Sequence, residues 1–134
     1  MLTVSVRVDR DAQCAWNAFT SPEAVMRWNA PSSDWHCPRA TNVLQAGGTF
    51  SYRMEAKDAS EGFDLNGVFT EVTPFERLRY KLDDGRAVEV HFQEDQGHTT
   101  VVQSFEPESK HSEELQRSGW QAILDNFKQC AEMM

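Results

Sequence analysis

The side chains of this chain that could do chemistry are its histidines, cysteines, carboxylates and tyrosines. His36 and Cys37 place an imidazole beside a thiol, and zinc accepts both as ligands. Adjacent residues on an extended segment point to opposite sides, however, and zinc sites normally combine two spaced pairs of ligands. No neighbouring base is apparent that would activate Cys37 as a nucleophile. We therefore expect no metal ion and no cofactor.

Four carboxylates lie in segments that alternate as β-strands do. Glu55, Asp64 and Glu89 fall opposite the apolar positions of their segments, so we expect them in solvent. Glu71 shares register with Phe69, close to where that strand ends. General acid–base catalysis needs a carboxyl group in a desolvated cleft, and none of these positions demands one. We predict no catalytic residue.

Tyr52 and Tyr80 both fall on apolar faces of predicted strands. A buried phenol needs a hydrogen-bond partner. The two hydroxyls could orient a ligand, or backbone groups and water could satisfy them, and the second alternative is favoured. Gln103 is equally open, because the segment Thr99–Phe105 does not show which of its faces is buried.

Two short helices must help to position these residues, over about residues 11–20 and 22–28. Asp9 or Asp11 can cap the first helix, and Ser21 can cap the second. Helices this short are stable only on an apolar support, which indicates a sheet beneath them. Their own apolar surface comes from Trp16, Phe19 and Trp28.

Strands account for most of the remaining chain. The segment from Leu2 to Val8 alternates with the period of a half-buried first strand. Residues 29–39 show no steady period and are predicted to be irregular. From there to Phe105, alternating segments are separated by short turns such as Asp83-Asp84-Gly85. Connections this short make the strands antiparallel neighbours.

The last segment, Glu113 to Met134, has the period of an amphipathic helix, with Ser112 as its cap. A helix of this length measures roughly 33 Å, enough to cross a small sheet. Gly119 costs about 1 kcal/mol relative to alanine inside a helix, and we expect the close approach of another backbone to compensate. The order of elements predicts an α+β fold, a curved antiparallel sheet of six to seven strands around a long C-terminal helix.

Composition and charge limit the partners. The 134 residues, 40% of them hydrophobic, predict one domain over residues 1–134. With 21 acidic and 13 basic residues the net charge is −8, which would repel nucleic acid. No stretch approaches the roughly 18 apolar residues of a membrane span, no signal sequence is apparent, and three cysteines imply no disulfide framework. We expect a cytoplasmic protein, and a monomer and a homodimer paired through sheet edges both remain open.

Four sequence motifs, taken in their order along the chain, resemble those of a known family. The chain is similar, almost from end to end, to the family named for the activator of the heat shock protein 90 ATPase (AHSA-type). That family lies within the superfamily of START domains, birch-pollen-allergen-like (Bet v-like) proteins and polyketide cyclases (SRPBCC). The motifs are Ala15-Trp16-Asn17-Ala18-Phe19-Thr20-Ser21-Pro22-Glu23 with Arg27-Trp28, Ala46-Gly47-Gly48-Thr49-Phe50, Gly67-Val68-Phe69-Thr70-Glu71-Val72-Thr73-Pro74 with Arg77-Leu78, and Ser118-Gly119-Trp120 leading to Ile123-Leu124-Asp125-Asn126-Phe127.

The resemblance implies a START-like helix-grip fold with an apolar cavity between the sheet and the C-terminal helix. Many relatives bind lipids, sterols, hormones or polyketides there, so the resemblance implies that this chain binds a small hydrophobic or amphipathic ligand. An enzyme of the cyclase or dehydratase kind that uses the same cavity is one alternative. A module that contacts the heat shock protein 90 chaperone is a less favoured one, because the co-chaperones combine such a domain with a separate larger one.

The aromatic register, together with the resemblance, predicts which residues line that cavity. The same residues could instead fill a solid core. A dry void of about 300 Å³ would destabilise the domain by roughly 7 kcal/mol, which approaches its whole stability, so a large cavity must be collapsed, wet or occupied. The predicted lining residues are Trp28, Trp35, Phe50, Tyr52, Met54, Phe69, Tyr80, Phe92, Trp120 and Leu124.

Overall fold

The computed structural model describes residues 1–134 and contains seven strands and three helices. One prediction was wrong: a strand begins at Trp35, inside the stretch predicted to be irregular. Pro38 and a bulge between His36 and Arg39 interrupt the alternation there and hide the strand. The elements are β1 (Leu2–Val8), α1 (Ala12–Thr20), α2 (Pro22–Trp28), β2 (Trp35–Asn42), β3 (Thr49–Ala56), β4 (Gly62–Thr73), β5 (Arg77–Leu82), β6 (Ala87–Asp95), β7 (His98–Phe105) and α3 (Glu113–Glu132).

The seven strands form one curled antiparallel sheet in the order β1-β7-β6-β5-β4-β3-β2. Strands β2 to β7 follow one another as hairpins, and β1 returns to pair with β7, with Val4 opposite Gln103. Alternate residues of each strand face inward, so that Val8, Val90 and Val101 are fully buried. The three helices cover this inner face, which confirms the predicted α+β helix-grip fold.

Side chains cap two of the three helices. The Cys14 N–H donates to the Asp11 carboxylate at 2.9 Å, and the Leu115 N–H donates to the Ser112 hydroxyl at 3.1 Å, as predicted. Ser21 precedes α2, but its side chain makes no capping hydrogen bond. Pro22 opens that helix and leaves one N–H fewer to satisfy. None of the helices has both the length and the apolar character that crossing a membrane requires.

Helix α3 lies along β1 and packs against α1 and α2. The Ser5 carbonyl of β1 accepts a hydrogen bond from Gln121 at 3.0 Å, and the Arg7 carbonyl accepts one from Lys128 at 2.6 Å. These bonds cover polar groups that an edge strand would otherwise leave open to another chain. The opposite edge, β2, is interrupted by Pro38 and its bulge. Neither edge therefore offers an unbroken row of groups to a second copy.

Gly119 departs from the sequence prediction. A Cβ built on this residue would meet no atom within 4 Å, so no other backbone approaches α3 at that position. Gly119 is also not one of the residues with a positive φ, so its backbone has the ordinary helical conformation. Glycine is therefore not required at this position by space or by backbone conformation.

We expect Gly119→Ala to stabilise the protein by about 1 kcal/mol, because alanine restricts the unfolded chain and favours the helix. Urea unfolding measures the change. The matched control is Gly85→Ala, where a Cβ would also meet open space but φ is +89°. That variant should lose stability, because alanine is strained in the left-handed region. If Gly119→Ala destabilised the protein, this would contradict the finding that the space around a Cβ at position 119 is open.

A candidate ligand cavity

An apolar cavity of about 90 Å³ lies between the inner face of the sheet and the helices. Of its 16 lining residues 13 are hydrophobic, and the others, Thr20, Asn29 and Gln103, are polar but uncharged. At about 24 cal/mol per Å³, an empty cavity of this size destabilises a domain by about 2 kcal/mol. A small domain tolerates that. The structure thus lies between the two predicted extremes of a solid core and a large void.

Eight of the ten residues predicted to line the cavity have surface on it. They come from α2, β3, β4, β5 and α3, so the sheet supplies the floor and the helices the roof. That these side chains bind a ligand stays a prediction. The eight are Trp28, Phe50, Tyr52, Met54, Phe69, Tyr80, Trp120 and Leu124.

Trp35 and Phe92, which were also predicted to line the cavity, do not border it. Trp35 pairs with Ala56 in the sheet, two residues beyond Met54, and so lies past the end of the cavity. Phe92 is on the inner face, but the ring of Trp16 from α1 covers it at 5.3 Å between ring centroids. Alternation along a strand shows the face of a residue but not which helix lies over it.

Eight further residues line the cavity. Three of them follow the alternation of Phe69 and Tyr80 along β4 and β5, and this register could have identified them. Phe19, part of the apolar surface of the short helices, also reaches the cavity. Thr20 and Asn29 stand at the ends of the short helices, where no sequence period applies. The eight are Phe19, Thr20, Asn29, Leu65, Leu78, Leu82, Gln103 and Ile123.

The floor of the cavity depends on Gly67 in β4. A Cβ on Gly67 would lie 2.5 Å from the ring of Phe50, its cross-strand partner, and 2.6 Å from the Lys81 carbonyl. Because Gly67 has no side chain, Phe50 of β3 reaches Tyr80 of β5 across β4, with 5.2 Å between ring centroids. Phe50 also contacts Phe69 at 5.2 Å. Together they form a continuous aromatic floor.

The roof contains a second, separate aromatic group. Phe19 lies 5.3 Å from Trp28 and 5.2 Å from Phe127 of α3, measured between ring centroids. The Trp28 indole N–H donates to the Ala18 carbonyl at 2.8 Å, so its polar atom is satisfied by the protein. No ring contact joins this group to the floor around Phe50. The cavity is the space between the two groups.

Two phenol–carboxamide pairs give the cavity its polarity. Gln103 Nε2 donates to the Tyr80 hydroxyl oxygen at 3.3 Å, and Asn42 Nδ2 donates to the Tyr52 hydroxyl oxygen at 3.1 Å. Asn42 is itself held by the Thr20 carbonyl at 2.8 Å. Burial raises the pKa of Tyr52 and, more strongly, that of Tyr80 above the ordinary value, because both phenolate forms would be poorly solvated.

The carboxylates lie on the outer face of the sheet, away from the cavity. Asp64 pairs with Arg39 at 2.9 Å, and Glu89 pairs with Arg79 at 3.0 Å. Glu71 was predicted to share the register of Phe69, and this was wrong. A bulge between Phe69 and Glu71 places Glu71 opposite Arg79, on the outer face.

His36 and Cys37 are likewise separated by the sheet. His36 is exposed, and its ring lies 3.9 Å from the Glu55 carboxylate. Cys37 is buried, and its thiol donates to the Arg39 carbonyl at 3.5 Å. Burial raises the pKa of Cys37, which disfavours the nucleophilic thiolate. The two side chains do not form a common site.

Comparison with known proteins gives the same fold. The family profile described as activator of Hsp90 ATPase homolog 1-like protein matches residues 10–132. The AHSA1-like protein from Aeromonas hydrophila is 41% identical, with a TM-score of 0.90 over 98% of this chain and 93% of that one. A protein from Cytophaga hutchinsonii is 42% identical, with a TM-score of 0.84 over 98% and 91%. CalU16 from Micromonospora echinospora, 19% identical, shares the fold, with a TM-score of 0.69 over 96% and 74%. No curated protein matches the chain.

The two tyrosines are the only ones in the chain, so tyrosinate absorbance at 295 nm reports on the cavity alone. We expect little tyrosinate in the native protein at pH 10, the ordinary tyrosine pKa being about 10. Since both pKa values are raised by folding, stability is fully present below pH 10 and falls as pH rises above it, by up to about 1.4 kcal/mol per pH unit for each tyrosine.

Tyr80→Phe is the matched variant, because it removes the hydroxyl and keeps the ring. It should make the dependence of unfolding free energy on pH above 10 less steep. A native protein whose tyrosines both titrate near pH 10 would show that water solvates the two phenols freely, contrary to their burial in the cavity.

Proposed function

The chain belongs to the family of activator of Hsp90 ATPase homolog 1-like proteins, and from that premise we propose that it binds a small apolar or amphipathic molecule between its sheet and α3. The observation that carries the proposal is the cavity itself, which is apolar over most of its lining and has a few convergent polar groups. Apolar walls with a small number of placed polar groups are typical of sites for small molecules.

The apolar surface extends beyond the cavity along β3 and β4. Leu65 pairs with Tyr52, and Phe63 pairs with Met54, so Phe63 continues the inner face outward. Phe63 is 47% exposed, and its ring lies 6.2 Å from that of Trp35. A volume of about 90 Å³ is below the roughly 300 Å³ of common ligand sites. The exposed ring of Phe63 supports a ligand whose apolar part continues past the cavity.

Binding is better supported than acid–base catalysis in the same cavity. The titratable groups among the lining residues are the two phenols, and folding raises the pKa of both. Raised pKa values make Tyr52 and Tyr80 weaker proton donors near neutral pH. The lining residues include no carboxylate, imidazole, amine or thiol that could accept a proton. A cyclase or dehydratase reaction would therefore lack a positioned base.

We expect Ile123→Trp to abolish ligand binding, because the larger ring from α3 would fill the cavity that Ile123 now borders. The matched control is Leu115→Trp, which adds the same ring to the same helix at a position that is 59% exposed. A ligand present at 100 times its dissociation constant stabilises a protein by about 2.7 kcal/mol. Thermal unfolding with a panel of fatty acids, sterols and flavonoid-like aromatics measures this increment.

The wild-type protein and Leu115→Trp should show the increment with at least one class, and Ile123→Trp should not. Native mass spectrometry of freshly purified wild-type protein should detect a bound small molecule. The proposal is wrong if no class stabilises the wild-type protein and nothing co-purifies with it. Equal increments in both tryptophan variants would place the ligand elsewhere.

A further inference from the structure

We propose that Tyr80 and Gln103 form the polar subsite of the cavity, and that this subsite selects an uncharged ligand bearing a hydroxyl group. The inference rests on the ligand-binding function proposed above and names the chemical class of the ligand. It starts from the hydrogen bonds that these two side chains leave unmade, which set what a bound molecule must supply.

The pair has more hydrogen-bonding groups than it uses. A phenol has one donor and a carboxamide two, and each has acceptor lone pairs. The one bond between them, from Gln103 Nε2 to the Tyr80 oxygen, uses a single donor and a single acceptor. The Tyr80 O–H, the second Gln103 N–H and the Gln103 Oε1 make no bond to the protein. Exchanging the amide oxygen and nitrogen of Gln103 would still leave both a donor and an acceptor free.

The free groups face the cavity. Gln103 Oε1 has no hydrogen bond within the protein, and it is not among the side-chain atoms that are both unbonded and fully buried, so a molecule in the cavity can reach it. Gln103 is 7% exposed. Both Gln103 and Tyr80 line the cavity. An unsatisfied buried polar group is unfavourable unless a ligand or water bonds to it. A ligand hydroxyl, which both donates and accepts, matches what the pair leaves open.

Tyr52 offers the ligand a second hydrogen-bond donor. Both N–H groups of Asn42 are committed, one to the Thr20 carbonyl and one to the Tyr52 oxygen. That arrangement holds the Tyr52 oxygen as an acceptor and leaves its O–H free. Since Tyr52 lines the same cavity, its O–H is available to an oxygen atom of the ligand.

The lining also selects against charge. It has no Lys, Arg or His that could pair with an anion, and no Asp or Glu that could pair with a cation. Several charged residues of the nearby strands pair on the outer face instead, as Arg39 does with Asp64 and Arg79 with Glu89. Burial of an unpaired ion is strongly unfavourable. The head group must therefore be neutral.

Four single-ring probes of similar size separate these requirements. p-Cresol has a hydroxyl, 4-methylanisole has only an acceptor oxygen, p-xylene has no polar group, and p-toluate carries a charge. We expect p-cresol to bind about tenfold more tightly than p-xylene, the gain from one or two hydrogen bonds. 4-Methylanisole should fall between them, and p-toluate should bind most weakly. NMR titration of the indole N–H signals of Trp28 and Trp120, which line the cavity, gives the dissociation constants.

Gln103→Leu should reduce the affinity for p-cresol to that for p-xylene and leave the affinity for p-xylene unchanged. Gln103→Met is a second variant, flexible enough to fit if leucine disturbs packing. Tyr80→Phe should act in the same direction. Gln93→Leu is the matched control, because Gln93 is exposed on β6 and does not line the cavity. It should keep the wild-type preference for p-cresol.

The outcomes distinguish the two proposals. If all four probes bind alike, or if Gln103→Leu keeps the preference for p-cresol, the subsite is overturned while ligand binding stands. If p-toluate binds most tightly, the requirement for a neutral head group is overturned. If no probe binds, no ligand class stabilises the protein and nothing co-purifies, the ligand-binding function itself fails.

Discussion

The fixed position of α3 on the edge of β1 is the constraint on which the cavity depends. Gln121 and Lys128 bond to backbone carbonyls of β1, and Phe127 packs against the rings of both Phe19 and Trp28. Near the middle of the helix, Trp120 stacks on Phe105 of β7 at 3.9 Å between ring centroids. The helix is thus held along one side of a curled sheet by contacts from its middle and its C-terminal half. It cannot settle onto β3 to β5 without breaking them, and the space that remains is the cavity.

The missing side chain at Gly67 has the complementary effect on the opposite wall. It lets Phe50 cover β4 and contact the rings of both Phe69 and Tyr80. Tyr80 is then supported on its ring, while its hydroxyl is positioned by Gln103 from β7. A larger residue at position 67 would displace Phe50 and, through it, the phenol. The polarity of the cavity therefore depends on a glycine that has no side chain of its own.

The sequence predicts the fold well because the fold depends on repeating features. Strand alternation and the helical stripe of α3 are periodic, and they give the order of elements and half of the residues that line the cavity, including Phe69 and Leu124. What failed depends on single, non-periodic events. A proline and a bulge hide the start of β2, and the lateral position of α1 decides that Phe92 is covered by Trp16. The Tyr80–Gln103 pair was not predicted as a unit, because its members are 23 residues apart and on strands that are not neighbours.

One of these single events decides the chemistry of the cavity. Without the bulge after Phe69, strict alternation would place Glu71 on the inner face. A carboxylate there would have no cation among the lining residues, so its pKa would rise and it could act as a buried general base. With the bulge, Val72 takes the inner position opposite Leu78, and Glu71 pairs with Arg77 and Arg79 outside. The extra residue thus removes a charge from the cavity and leaves only neutral hydrogen-bonding groups, which favours a neutral ligand over proton-transfer chemistry.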